Sequence, residues 1–178
     1  MKKETKRIAL TASLVGIMAA TIECAKLALA ALPNVEVVTL LIAVYSYVFG
    51  SAGILAAVVF VMIEPLIWSF GPWVISYFLY WPLVGAVFMI LGKLGAKRRL
   101  TLTLTAGLLT LFFGVLSSLV DIGLFSGNFD RFFYRFAIYY ARGVWFYLAQ
   151  LLTNLVVFPT LFPHVASLLS KIKHRLSL

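Results

Sequence analysis

Leu32-Pro33-Asn34-Val35-Glu36-Val37-Val38-Thr39 separates two apolar runs near the N-terminus, and the plan of the chain follows from how it is read. Pro33 cannot extend a helical hydrogen-bond ladder and Asn34 tolerates a tight turn. The segment therefore predicts a hairpin tip, with Glu36 opening the next helix. This tip is expected to be the outer rim of a binding site, because most other polar residues in the apolar runs fall on its side.

Of the 178 residues, 63% are hydrophobic and 12% charged, with a mean hydropathy of +1.04. A soluble domain of this length could not hide so much apolar surface in one core, so an all-α integral membrane protein is expected. Lys and Arg outnumber Asp and Glu by 15 to 6, giving +9. A nucleic-acid partner would need that charge gathered on one folded face. Instead it lies in short clusters between apolar runs: Lys2, Lys3, Lys6 and Arg7, then Lys93, Lys97, Arg98 and Arg99, then Lys171, Lys173 and Arg175. This is the positive-inside pattern of a multi-pass protein. The single cysteine, Cys24, excludes an intramolecular disulfide and reads as a small apolar residue in a helix. Ala28-Leu29-Ala30 has the small-x-small form of a signal cleavage site, yet Glu23 and Lys26 break the apolar stretch before it. Another span follows, so the first helix is expected to be retained.

A span needs roughly 20 apolar residues. The segments that approach this run from about Ile8 to Leu32, Val35 to Phe49, Ala52 to Trp68, Gly71-Pro72 to Gly92-Lys93, Leu100 to Leu124 and Phe136 to Phe158. The second and third are the shortest, and one of them could be re-entrant. Ser126-Gly127-Asn128 is a turn signal, and an amphipathic tail occupies about 160–178. The expectation is one domain, 1–178, of six transmembrane helices with both termini cytoplasmic. All basic clusters then face the same side.

With this topology Glu23, Lys26, Glu36, Glu64 and Asp121 lie toward the outer side, and Arg131, Arg135 and Arg142 lie on the approach to the last span. Each ionisable group in a membrane costs on the order of 2.5 to 3.5 kcal/mol, so such groups face partners or a water-filled cavity. Their one-sided placement predicts a pocket open outward and sealed inward. Glu23 and Lys26, three residues apart, are close enough to pair. Arg135, Tyr139 and Arg142 share a stripe, and Arg142 is expected to meet a ligand or a buried acid such as Asp121. Glu64 next to Pro65 suits either the pocket or a kinked backbone. Trp68, Trp73, Tyr77 and other aromatics crowd the same side, beyond what an interfacial belt requires, and predict a stacking surface for an organic ligand. Ala12, Gly16 and Ala20 form a small-residue seam at four-residue spacing, suited to close approach by a neighbouring span or another protein's helix.

No catalytic constellation emerges and no cofactor is expected. His164 and His174 lack an acidic partner, and Gly92-Lys93 lacks the rest of a phosphate-binding loop. If the chain serves ATP-driven transport, another chain supplies the ATPase.

The seam Ala12, Gly16, Ala20, the run from Leu32 to Leu41, the Val48-Phe49-Gly50 turn and Trp68-Ser69-Phe70-Gly71 with Trp73 resemble the substrate-binding S components of energy-coupling factor (ECF) ABC transporters. The resemblance implies a bacterial plasma-membrane protein that binds a vitamin or related micronutrient at its outer face. It also implies a transmembrane coupling subunit and two cytoplasmic ABC ATPases as partners, with the seam docking on the coupling subunit. Asn34, Glu36, Glu64, Trp68, Trp73, Tyr77, Asp121, Arg135, Tyr139 and Arg142 are the candidate substrate-binding residues. The chain is most similar to the members linked to corrinoid uptake, which implies cobalamin; a folate or a pantothenate would suit the same surface. The competing readings are an intramembrane enzyme acting on lipid through Glu23, Glu64 or Asp121, and a small structural protein whose charges pair among themselves.

Overall fold

A computed structural model describes residues 2–32, 35–126 and 130–176. The chain is all-α, with helices α1 (Lys2–Ala28), α2 (Val38–Phe49), α3 (Ser51–Trp68), α4 (Trp73–Lys93), α5 (Arg99–Val120), α6 (Phe132–Thr160) and α7 (Phe162–Arg175). A π-helical turn, Asp121–Ser126, extends α5. Among the described residues, five stretches are long and apolar enough to cross a membrane: those built on α1, α3, α4, α5 and α6. The protein has the architecture of a multi-pass integral membrane protein.

The second segment departs from expectation. α2 has 12 residues, a rise of about 18 Å against a hydrocarbon core of about 30 Å. α1 stops at Ala28, a turn covers 29–32, and α2 begins at Val38 rather than Val35. Glu36 opens α2 from just outside it, accepting the Thr39 amide N–H at 2.8 Å and the Thr39 hydroxyl at 2.6 Å. These bonds satisfy donors in the first turn that the helix itself leaves without partners. Pro33 and Asn34, like Gly127 and Asn128 of the second turn signal, lie outside the described residues. α6 starts about one turn earlier than expected, and α7 matches the amphipathic tail.

α2 is central, packed against α3, α4 and α7. Glycines allow this closeness. A Cβ on Gly53 would sit 2.3 Å from the Ser46 amide nitrogen, and one on Gly92 would sit 2.3 Å from the Tyr47 carbonyl oxygen. Lipid gives no hydrophobic drive to helix association, so small residues that admit van der Waals contact between backbones replace it. The same contacts set the register: the end of α2 lies level with the end of α4, at the pole of the bundle carrying the basic clusters.

That basic pole is filled by aromatic packing. Phe88 lies 5.5 Å from Phe158, Phe158 lies 5.6 Å from Phe162, and Tyr47 meets Phe162 at 5.4 Å. Lys173 donates to the Val48 carbonyl at 2.6 Å, strapping α7 to the last turn of α2. α6 packs mainly along α5 and leaves its far side open, with Trp145 77% exposed. Open apolar helix faces of this kind are what a lipid-contacting protein presents.

The small-residue seam turns away from the bundle. Ala12, Gly16 and Ala20 are exposed, and a Cβ on Gly16 would meet nothing within 4 Å. Packing against a neighbouring span of this chain is therefore not its use.

Candidate functional site

The shortness of α2 creates the site. α4 has 21 residues, about 31 Å of rise, and both helices end at the basic pole. The first residue of α2 consequently lies below the start of α4, at the chamber it shares with Tyr77 and Trp81. A full-length span would fill that gap; here a chamber of about 160 Å³ occupies it. Val38 comes from the start of α2 and Glu36 from just before it, Lys26 from the end of α1 and Leu29 from the turn that follows, Phe60 from α3, Tyr77 and Trp81 from α4, and Gln150 from α6.

Each wall follows from local sequence. Trp73, Tyr77 and Trp81 recur every four residues on α4, so their rings form a ladder, with centroids 5.1 Å apart for the first pair and 5.6 Å for the second. Phe60 meets Trp81 edge to face at 6.1 Å. Glu36 is held by Thr39 and by Asn154 of α6, whose side-chain amide donates to it at 3.3 Å and to the Thr110 hydroxyl at 3.0 Å. Asn154 is fully buried. It thereby ties α2, α5 and α6 together below the chamber, where the bilayer offers no water as an alternative partner.

Lys26 is the chamber's cation. It forms an ion pair with Glu64, and its ammonium lies 5.8 Å from the Phe60 ring centroid, 5.5 Å from that of Trp68 and 5.5 Å from that of Tyr77. The expected pairing of Glu23 with Lys26 gives way to this contact. Both residues sit on α1, but Lys26 reaches across to Glu64 of α3. Glu23 lies beside them, buried, and neither of its carboxylate oxygens has a hydrogen-bond partner among the described residues. Glu64 bonds across to α1 rather than to the backbone near Pro65.

The candidate residues read from the sequence divide into two groups. Glu36 and Tyr77 line the chamber, Glu64 and Trp68 surround Lys26 at its wall, and Trp73 stacks on Tyr77. Asp121, Arg135, Tyr139 and Arg142 do not line it. Arg142 is exposed, with its guanidinium 5.9 Å from the Tyr139 ring centroid, and no ion pair joins it to Asp121. The reason is geometric: this part of α6 packs on α5 and the π-helical turn, away from α1 and α4. Asn34 lies outside the described residues. Sequence reasoning missed Phe60, Gln150, Thr110 and Asn154, whereas Trp81 belongs to the aromatics expected to form a stacking surface. Gln150 and Asn154, four apart in an apolar run, carried a signal that could have found them.

Among the described residues, no three His, Cys, Asp or Glu side chains converge in a metal-binding group. Comparison with protein-family models, curated proteins and solved structures finds no match to this chain.

Proposed function

We propose that the chain is the membrane-embedded substrate-binding subunit of an ECF-type transporter for a vitamin or related micronutrient. In this reading six helical segments cross or enter the bacterial plasma membrane, both termini are cytoplasmic and the basic pole faces inward. The short α2, whose last turn lies at the basic pole, completes the second crossing. The observation that carries the reading is the chamber over the truncated α2, walled by aromatic rings and charged groups, while the basic pole beneath it is packed with aromatics. A binding subunit that awaits a motor needs this asymmetry: access from one side and a seal on the other. The outward-facing Ala12, Gly16, Ala20 stripe supports a helix-on-helix dock with a coupling subunit.

The chamber favours a compact, ring-bearing ligand. At about 160 Å³ it lies below the roughly 300 to 1,000 Å³ of drug-sized sites. Of the ligands that the family resemblance brings in, a corrinoid suits it least. Arg135 and Arg142 stand outside the chamber walls, where a bulky ligand with anionic groups would need them.

The test is co-expression with a coupling subunit and its two ATPases, followed by mild detergent purification and mass spectrometry of the retained small molecule. The expected result is a stable complex, a bound micronutrient and ATP-dependent uptake in proteoliposomes. A chain that recruits no coupling subunit and retains nothing from a vitamin panel would overturn the proposal.

A further inference from the structure

The charge around the chamber is unbalanced. Glu36 lines it, Glu64 is 1% exposed behind its wall, and Glu23 is 7% exposed beside Glu64. Lys26 is the cation of the lining and pairs with Glu64, and neither Arg135 nor Arg142 contributes to the walls. Glu23 and Glu64 thus share one ammonium in a membrane interior, where an uncompensated charge is costly, while Glu36 is held separately by Thr39 and Asn154. Both Glu23 oxygens and Oε1 of Glu64 lack hydrogen-bond partners among the described residues, so acceptor capacity is left over. Next to these acceptors stand three ring faces, those of Phe60, Trp68 and Tyr77, all directed at one point. Aromatic faces with carboxylates behind them are how proteins recognise organic ammonium groups, because the ring quadrupole and the acid both favour positive charge. That point is held by the Lys26 ammonium, on a flexible stem that is partly exposed.

We propose that the chamber takes a compact organic cation, whose charged group displaces the Lys26 ammonium from between the carboxylates and the rings. This rests on the substrate-binding reading above and narrows its ligand to an amine or a cationic heterocycle. Lys26 then acts as a tethered stand-in that keeps the acids paired until substrate arrives. An anionic ligand drawn to Lys26 would be set against the Glu23 and Glu64 carboxyl groups beside it. Those carboxyl oxygens, rather than the presence of a lysine, decide the sign.

The two signs make opposite predictions for one substitution. The purified chain is titrated in detergent with phenyltrimethylammonium, benzoate and benzyl alcohol, following quenching of tryptophan fluorescence. The cation is expected to saturate at the lowest concentration. Lys26→Met removes the internal competitor and is expected to tighten cation binding about ten-fold. Because that variant leaves Glu64 without its partner and can impair folding, Glu23→Gln is measured beside it. Glu23 stands outside the Lys26–Glu64 ion pair, so its neutral isostere leaves that pair in place and is expected to weaken cation binding about ten-fold. Preference for benzoate, weaker cation binding in Lys26→Met, or failure of all three probes to bind overturns the inference. The titration uses the chain alone, so it is independent of motor recruitment. A chain that recruits the ATPases but prefers benzoate defeats only this inference, and one that binds the cation but recruits nothing defeats only the transporter reading.

Discussion

Gly53→Ala and Gly16→Leu are expected to have opposite consequences although both enlarge a glycine within an apolar helix. At position 53 the new Cβ would lie 2.3 Å from the Ser46 amide nitrogen and 2.5 Å from both the Ser46 Cα and the Tyr45 carbonyl carbon. These are backbone atoms, so no side chain can swing aside, and α2 and α3 must separate by about 1 Å to restore ordinary contact. Overpacking of this kind costs about 3 kcal/mol, against which the helix preference of alanine over glycine returns about 1 kcal/mol. The net loss of about 2 kcal/mol corresponds to a melting temperature lower by on the order of 4–8 °C for a chain of this size. At position 16 a Cβ meets nothing within 4 Å, so leucine gains about 0.8 kcal/mol of helix preference and strains nothing. Melting should hold or rise slightly, while co-purification with a coupling subunit is lost because the bulky side chain keeps the partner helix away. Thermal unfolding in detergent, followed by tryptophan fluorescence, reads the first quantity and a pull-down reads the second. Gly53→Ala melting with the parent chain, or Gly16→Leu falling as far as Gly53→Ala, would refute the packing argument.

Asn154→Leu should destabilise by on the order of 1–3 kcal/mol, since Glu36 and Thr110 each lose their Asn154 donor in a buried setting; an unchanged melting temperature would contradict this. Lys173→Met removes the bond to the Val48 carbonyl and should cost about 1.5 kcal/mol locally. Hydrogen exchange would read that loss as faster exchange in α7 and the last turn of α2, and unchanged protection there would count against the strap. Arg142→Ala should leave stability within about 0.5 kcal/mol and ligand retention unaltered, because the side chain is exposed and away from the chamber. A ten-fold loss of retained ligand would return Arg142 to the site.

Much of the helix plan was legible because apolar run length and basic flanks are local properties. The third and fourth segments, Ala52 to Trp68 and Gly71-Pro72 to Gly92-Lys93, correspond to α3 and α4 within about two residues. α2 was harder to read. Val35 and Val37 are apolar like the helix they precede, and hydropathy does not distinguish a residue within a helix from one before it. Only the Glu36 contacts with Thr39 mark where the helix begins. The candidate site was half legible for a related reason. Polarity in an apolar run signals that a group needs a partner, but it does not name the partner.

The amino-acid order by itself determined an all-α, multi-pass chain with its three basic clusters at one pole, because the cost of placing charge or bare backbone in lipid is a property of each segment alone. Rotation and depth were decided by the tertiary structure. Backbone contacts at Gly53 and Gly92 seat α2 low in the bundle, leaving a gap above it; Lys26 reaches Glu64 across 38 positions, passing over its near neighbour Glu23; and Arg142 turns outward. Those outcomes depend on how close two helices can approach and on which faces then meet, and these are distances between segments that no single segment encodes.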